Sequence, residues 1–180
     1  MANHDPAMIS LTTREGRTRI EFQWLGDRYI HRIMKDQMEM AHSVEGDAYE
    51  VWPPSPPLQQ LSLESIDNSP TVLGVGSAGR SHWSLSVERT SSNGHGECFR
   101  FDVAVRSRAT PENIGSTYLI SPSIEFRPGE GTVISRREIN GGNTGSSWEH
   151  KVTIRPDHDV DPTVDVPTTY RWSYQVNVKG

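Results

Sequence analysis

The chain has 180 residues, a formal charge of −5 and 33% hydrophobic residues, a length that fits one domain able to bury a core without metal or disulfide support. Five Trp, five Tyr and four Phe concentrate apolar surface in few positions, so a polar chain can still fill an interior. No Lys/Arg run forms a phosphate-binding stripe, no window approaches 18 apolar residues, and Cys98 is the single cysteine; duplex nucleic acid, an anionic membrane, a spanning helix and an intrachain disulfide are therefore not expected.

Residues 1–16 carry no periodicity and read as a loose arm, ahead of a single domain over 17–180. The opening Met-Ala-Asn-His-Asp-Pro lacks the basic and apolar regions of a signal peptide, and with one thiol a reducing cytoplasm is the expected location. Thr18 to Trp24 alternates Ile20, Phe22 and Trp24 against Arg19, Glu21 and Gln23. A two-residue turn at Gly26-Asp27 then sets Trp24 opposite Tyr29, Phe22 opposite His31, Ile20 opposite Ile33 and Glu21 opposite Arg32, which satisfies both faces at once.

Residues 35–47 have a faint helical flavour and read as a loop or one helical turn; Tyr49 to Trp52 reads as a brief strand. Pro-Pro-Ser-Pro-Pro at 53–57 is extended and cannot sit in a central strand, so it is expected as an internal strap over Trp52, with a ligand for an aromatic groove as the alternative. Leu58 to Ile66 and Thr71 to Val75 read as strands on either side of a turn at Asp67-Asn68-Ser69-Pro70.

Ser81 to Arg106 is the clearest hairpin. Trp83, Leu85 and Val87 oppose His82, Ser84, Ser86 and Glu88, and beyond a loop near Gly94 Phe99, Phe101, Val103 and Val105 oppose Arg100, Asp102 and Arg106. That register pairs Glu88 with Arg100 and Ser86 with Asp102. The stretch Gly74 to Glu88, Gly-Val-Gly-Ser-Ala-Gly-Arg-Ser-His-Trp-Ser-Leu-Ser-Val-Glu, resembles uncharacterised bacterial all-β proteins of planctomycete type; the resemblance spans Trp52 to Arg106 and implies no activity and no site residues. Further strands are expected at 116–120, 132–138, 148–154 and 170–178. Nine or ten short strands with almost no helix predict an all-β fold, a two-sheet, mostly antiparallel β-sandwich or jelly roll.

Four constellations bear on chemistry. Gly74, Gly76 and Gly79 precede a strand, not a helix, and no Gly-Lys-Ser/Thr follows, so they are expected to permit a bulge or tight connection instead of cradling phosphate. The polar face of His82, Ser84, Ser86, Glu88, Arg100, Asp102 and Arg106 is the expected ligand face. It has the residue types of a hydrolytic triad but no strained nucleophile elbow. Asp157, Asp159, Asp161 and Asp165 alternate as oxygen ligands of a calcium loop do, although Pro162 and Thr168 stand where an EF-hand needs Gly and Glu; a solvated acidic loop is the ordinary explanation. Histidines show no paired spacing, and Cys98 reads as a packed thiol. The functional expectation is a non-enzymatic binding or interaction module for an unknown protein, small molecule or sugar, without a cofactor unless calcium. The alternatives are a small hydrolase or metal-dependent enzyme using the His82 face and a carbohydrate-binding β-sandwich.

Overall fold

The computed structural model describes residues 8–92, 96–139, 150–157 and 167–178, and these contain strands and no helix. The strands are β1 Ile9–Thr12, β2 Thr18–Trp24, β3 Tyr29–Lys35, β4 Met38–Ser43, β5 Leu58–Ile66, β6 Ser69–Ala78 and β7 Ser81–Ser92. They continue as β8 Gly96–Ser107, β9 Ser116–Ile120, β10 Ile124–Pro128, β11 Thr132–Glu138, β12 His150–Pro156 and β13 Thr168–Val178. All pair antiparallel in one sheet, ordered β10-β13-β8-β7-β6-β5-β3-β4-β9-β12-β11, with β2 also on β3 and β1 on β2. The sheet is nearly barrel-shaped. Its thinnest seam is β3 on β5, a single pair, Tyr29 with Leu58. The two ends of the path are joined through β13: Gly129 N donates to Ser173 O at 2.7 Å and Ser173 N donates to Thr132 Oγ1 at 3.0 Å.

The two hairpins read from alternation have the expected registers. Trp24, Phe22, Ile20 and Glu21 face Tyr29, His31, Ile33 and Arg32. The turn between them closes with Leu25 N donating to Arg28 O at 2.7 Å and Asp27 N donating to Leu25 O at 3.0 Å, around Gly26 at φ +80°. Along β7 and β8, Ser86 pairs with Asp102 and Glu88 with Arg100. Trp83, Leu85, Phe101 and Val103 are buried while Ser84 and Arg100 are exposed.

The remaining strand expectations need correction in three places. The sheet starts before residue 17, because β1 pairs with β2 and puts Leu11 in the core. Residues 35–47 are not helical: Asp36, at φ +53°, turns β3 into β4. A register shift there leaves Met40 as an extra residue, so Met40 and Ala41 are both buried and the period-two signature is lost. Tyr49–Trp52 is not a strand, since Asp47 Oδ1 accepts from the backbone N of Tyr49 at 2.8 Å and Glu50 at 3.0 Å and bends the chain. The proline segment that follows is an internal strap: Pro53, Ser55, Pro56 and Pro57 are buried. Ser55 Oγ donates to Thr117 O and accepts from Thr117 N, both at 3.1 Å. The strap fixes β6 as well, because a Cβ on Gly76 would overlap the Pro57 carbonyl. Among the described residues, no helix is long and apolar enough to cross a membrane.

The inward faces of β2, β3, β7, β8, β9 and β13 meet in one aromatic core. A polar chain threads it. His31 Nε2 and the Tyr118 hydroxyl are 2.6 Å apart, and the Tyr118 and Tyr174 hydroxyls are also 2.6 Å apart. Tyr174 continues to Ser116, whose Oγ accepts from Trp172 Nε1 at 3.1 Å. Buried polar groups are tolerated when they satisfy one another in this way. Burial, with the charge of His42 as a lesser cause, pulls the His31 pKa down to about 3, so the imidazole is neutral. Burial pushes both tyrosines above the ordinary range. Beside this chain Glu45 hydrogen-bonds Ser43, yet its Oε2 is enclosed without a partner, and burial lifts its pKa to about 7.

Candidate functional site

Because successive side chains of a strand point to opposite faces, the residues between the core positions of β6, β7, β8 and β13 form an outer surface whose rows can be read from the ladders. One row is Leu73, Ser86, Asp102 and Ser173; the next is Val75, Ser84, Ala104 and Arg171; the third is Ser77, His82, Arg106 and Thr169. The middle row carries its two smallest side chains, Ser84 and Ala104, on the two central strands, with Val75 and Arg171 standing on either side. That size pattern hollows the surface into a groove.

Three adjoining cavities occupy it. The middle one, about 580 Å3, is lined by Val75, His82, Ser84, Ala104, Arg106 and Arg171, with Gln59 and Gln60 of β5 at its side. A second, about 410 Å3, shares Ser84, Ala104 and Arg171 with it and runs on to Leu73, Ser86, Asp102 and Glu130. A third, about 450 Å3, shares His82 and Arg106 and ends at Arg80, Arg108 and Pro167. The groove is thus cationic at one end and carries carboxylates at the other.

Five of the residues expected on the ligand face, His82, Ser84, Ser86, Asp102 and Arg106, line these cavities. Glu88 and Arg100 lie one row beyond. Although Arg100 is the cross-strand partner of Glu88, its guanidinium turns along the strand to Asp102, Nε to Oδ2 at 3.0 Å. Asp102 is therefore occupied by a cation instead of standing behind the imidazole. His82 makes no hydrogen bond to Ser84 or Ser86, which are its neighbours two and four residues along an extended strand, at about 3.3 Å per residue. A general base must reach the hydroxyl it activates, so these three side chains do not form a nucleophile pair in this arrangement.

Other candidates are placed as follows. Of the aspartates expected to converge on calcium, Asp157 follows β12, and Asp159, Asp161 and Asp165 lie outside the described residues. His4, His95, His158, Trp148 and residues 140–145, whose Asn-Gly-Gly-Asn-Thr-Gly sequence reads as a turn, also lie outside them. Among the described residues no group of three His, Cys, Asp or Glu is gathered for a metal ion. Cys98 is buried, and burial raises its thiol pKa, the opposite of what an attacking thiolate needs. The described tryptophans are buried or half-buried.

Arg80, Arg108, Arg171 and Glu130 are contributors absent from the expected ligand face. Arg108 continues the i, i+2 series of Arg100, Asp102 and Arg106, a signal present in the sequence. Arg171 reaches the groove only because β13 pairs with β8, a contact between residues about 70 apart in number that no local pattern encodes, and Glu130 because β10 in turn pairs with β13. Compared with protein-family models, curated proteins and solved structures, the chain matches none.

Proposed function

We propose that the protein is a non-enzymatic binding module that holds a small molecule in the outer groove of β6, β7, β8 and β13. The observation that carries this reading is the continuity of the three cavities around Ser84, Ala104, His82 and Arg106. Each has a volume in the range of small-molecule sites. The floor rests on strands whose opposite faces are packed in the core, so the site is preorganised. The enzymatic alternative is less well supported: Asp102 is held by Arg100, and neither Ser84 nor Ser86 hydrogen-bonds His82. The same reading takes the two halves of the sheet, parted at the Tyr29–Leu58 seam, as the layers of a flattened, sandwich-like barrel, and assigns the protein with its one buried thiol to a reducing cytoplasm.

Ligand-observed NMR against a mixed library of neutral and charged small molecules, run on the native chain and on Ala104→Trp, tests the reading. Compounds that bind the native chain should be lost in the variant, whose indole fills the groove floor. Compounds that bind both equally would move the site elsewhere.

A further inference from the structure

Most arginines outside the cationic end of the groove are paired. Seven, Arg14, Arg17, Arg19, Arg28, Arg32, Arg100 and Arg127, each hold a carboxylate within 4.0 Å; Arg89 donates to Thr12 O and Arg136 meets His150 Nδ1, which leaves Arg137 on β11 and Arg155 on β12 without such a partner among the described residues. Arg80, Arg106 and Arg108, with His82, line one cavity of about 450 Å3, and none of them has a carboxylate or hydrogen-bond partner among the described residues. Arg171, equally unpaired, stands one row away on β13 and lines the two neighbouring cavities. Three guanidinium groups are thus gathered around one cavity, with a fourth in the cavities beside it, in a chain whose net charge is −5. Like charges drawn together repel, and nothing described in the fold offsets them.

We infer that this end of the groove is an oxyanion site, taking the phosphate or sulfate ester of a small polyol or sugar, with the ester group among Arg80, Arg106 and Arg108 and the neutral body over Ser84 and Ala104. This assignment rests on the groove being the binding site. Guanidinium forks bind tetrahedral oxyanions through paired N–H donors, and the His82 imidazole adds a further N–H within the same cavity. Beyond this end the lining changes to hydroxyls and an amide from Ser84, Ser86 and Gln60, with Val75 and Leu73 between them. That mixture suits a body with hydroxyls on one side and C–H surface on the other. At the far end the uncompensated Glu130 carboxylate disfavours a second anionic group, so the groove selects a ligand charged at one end only.

Titration calorimetry with glucose 6-phosphate, glucose 6-sulfate, glucose and inorganic phosphate tests the assignment at low and at 0.5 M salt. Either ester should bind the native chain, glucose should give no heat, and the two esters compared with each other identify phosphate or sulfate as the source. Arg106→Ala and Arg108→Ala should each weaken ester binding at least tenfold, Arg137→Ala on β11 should leave it unchanged, and high salt should weaken it in the native chain. Circular dichroism and thermal unfolding of the exposed arginine variants establish that they remain folded. Equal affinity for glucose and its esters, or unchanged ester binding in Arg106→Ala/Arg108→Ala, would overturn the inference. If the esters give no heat while other compounds bind the native chain and are lost in Ala104→Trp, the oxyanion site fails and the groove reading stands. If esters bind Ala104→Trp as tightly as the native chain, the placement of their neutral body in the groove is wrong.

Discussion

Glu45→Gln should change how stability depends on pH, by an amount set by two buried groups with opposite protonation. Glu45 has its pKa lifted from an ordinary 4.5 to about 7 by burial, and His31 has its own lowered from 6.5 to about 3 by burial and the charge of His42. Between pH 4.5 and 6.5 the folded chain keeps a proton on Glu45 that the unfolded chain has lost, so this group removes stability as pH rises. In the same window the unfolded chain carries a proton on His31 that the fold excludes, so His31 adds stability as pH rises. Each slope is about 1.4 kcal/mol per pH unit, and in the native chain the two nearly cancel. Asp27 and Asp36, whose pKa values are lowered by Arg28 and Arg17, act below their ordinary 3.8 and stay out of the window. Glutamine keeps the shape and the Ser43 contact but not the ionisation. The stability of Glu45→Gln relative to the native chain should therefore grow by about 2 kcal/mol from pH 5 to pH 6.5. Urea unfolding at four pH values across that interval measures it. Parallel curves for the two proteins would refute the burial of a titrating Glu45.

Three further outcomes are expected. Tyr118→Phe removes the hydroxyl shared by His31 and Tyr174 and should cost about 1–3 kcal/mol in chemical unfolding, the penalty for stranding buried polar groups; a neutral result would mean the relay is not closed in solution. Gly76→Ala should destabilise by about 2 kcal/mol or more, since the new methyl meets the Pro57 backbone and not a movable side chain; Gly16→Ala, with open space around it and φ +76°, meets only backbone strain, which Gly76 does not carry, and should cost less. Ester, phosphoester and glycoside substrates should show no turnover that disappears in His82→Ala, Ser84→Ala or Ser86→Ala; reproducible loss in any one of them would favour the hydrolase alternative over the binding module.

Alternation made the hairpins legible where both faces had a consistent partner. Ile20, Phe22 and Trp24 against Tyr29, His31 and Ile33 admit one register, because a slip of one residue would exchange core and solvent faces. The same rule failed at β4, where the extra Met40 shifts the phase, and at β1, which is too short to show a period. His31 was legible as an imidazole on an apolar face, but its partners were not: Tyr118 and Tyr174 come from β9 and β13, and only closure of the sheet brings them together. The groove was half visible for the same reason. Its β7 and β8 walls follow from one hairpin, while β6, β13 and the residues that set its charge polarity depend on the order of strands.

One alternation serves both surfaces. On β7, Trp83 and Leu85 enter the core while His82, Ser84 and Ser86 face the groove; on β13, Trp172 and Tyr174 belong to the buried polar chain while Arg171 and Ser173 face out. The groove floor can be lined by small side chains because large aromatics on the opposite face, Trp83 against Trp172 at 6.1 Å and Phe101 stacked on Tyr174 at 4.8 Å, hold the same strands in place. Rigidity of the site is thus supplied from beneath it. A change such as Tyr118→Phe, far from any ligand, should loosen the strands that carry Arg171 and Ala104 and weaken groove ligands together with stability, whereas Ala104→Trp should abolish binding and leave the urea midpoint nearly unchanged, since its side chain points to solvent.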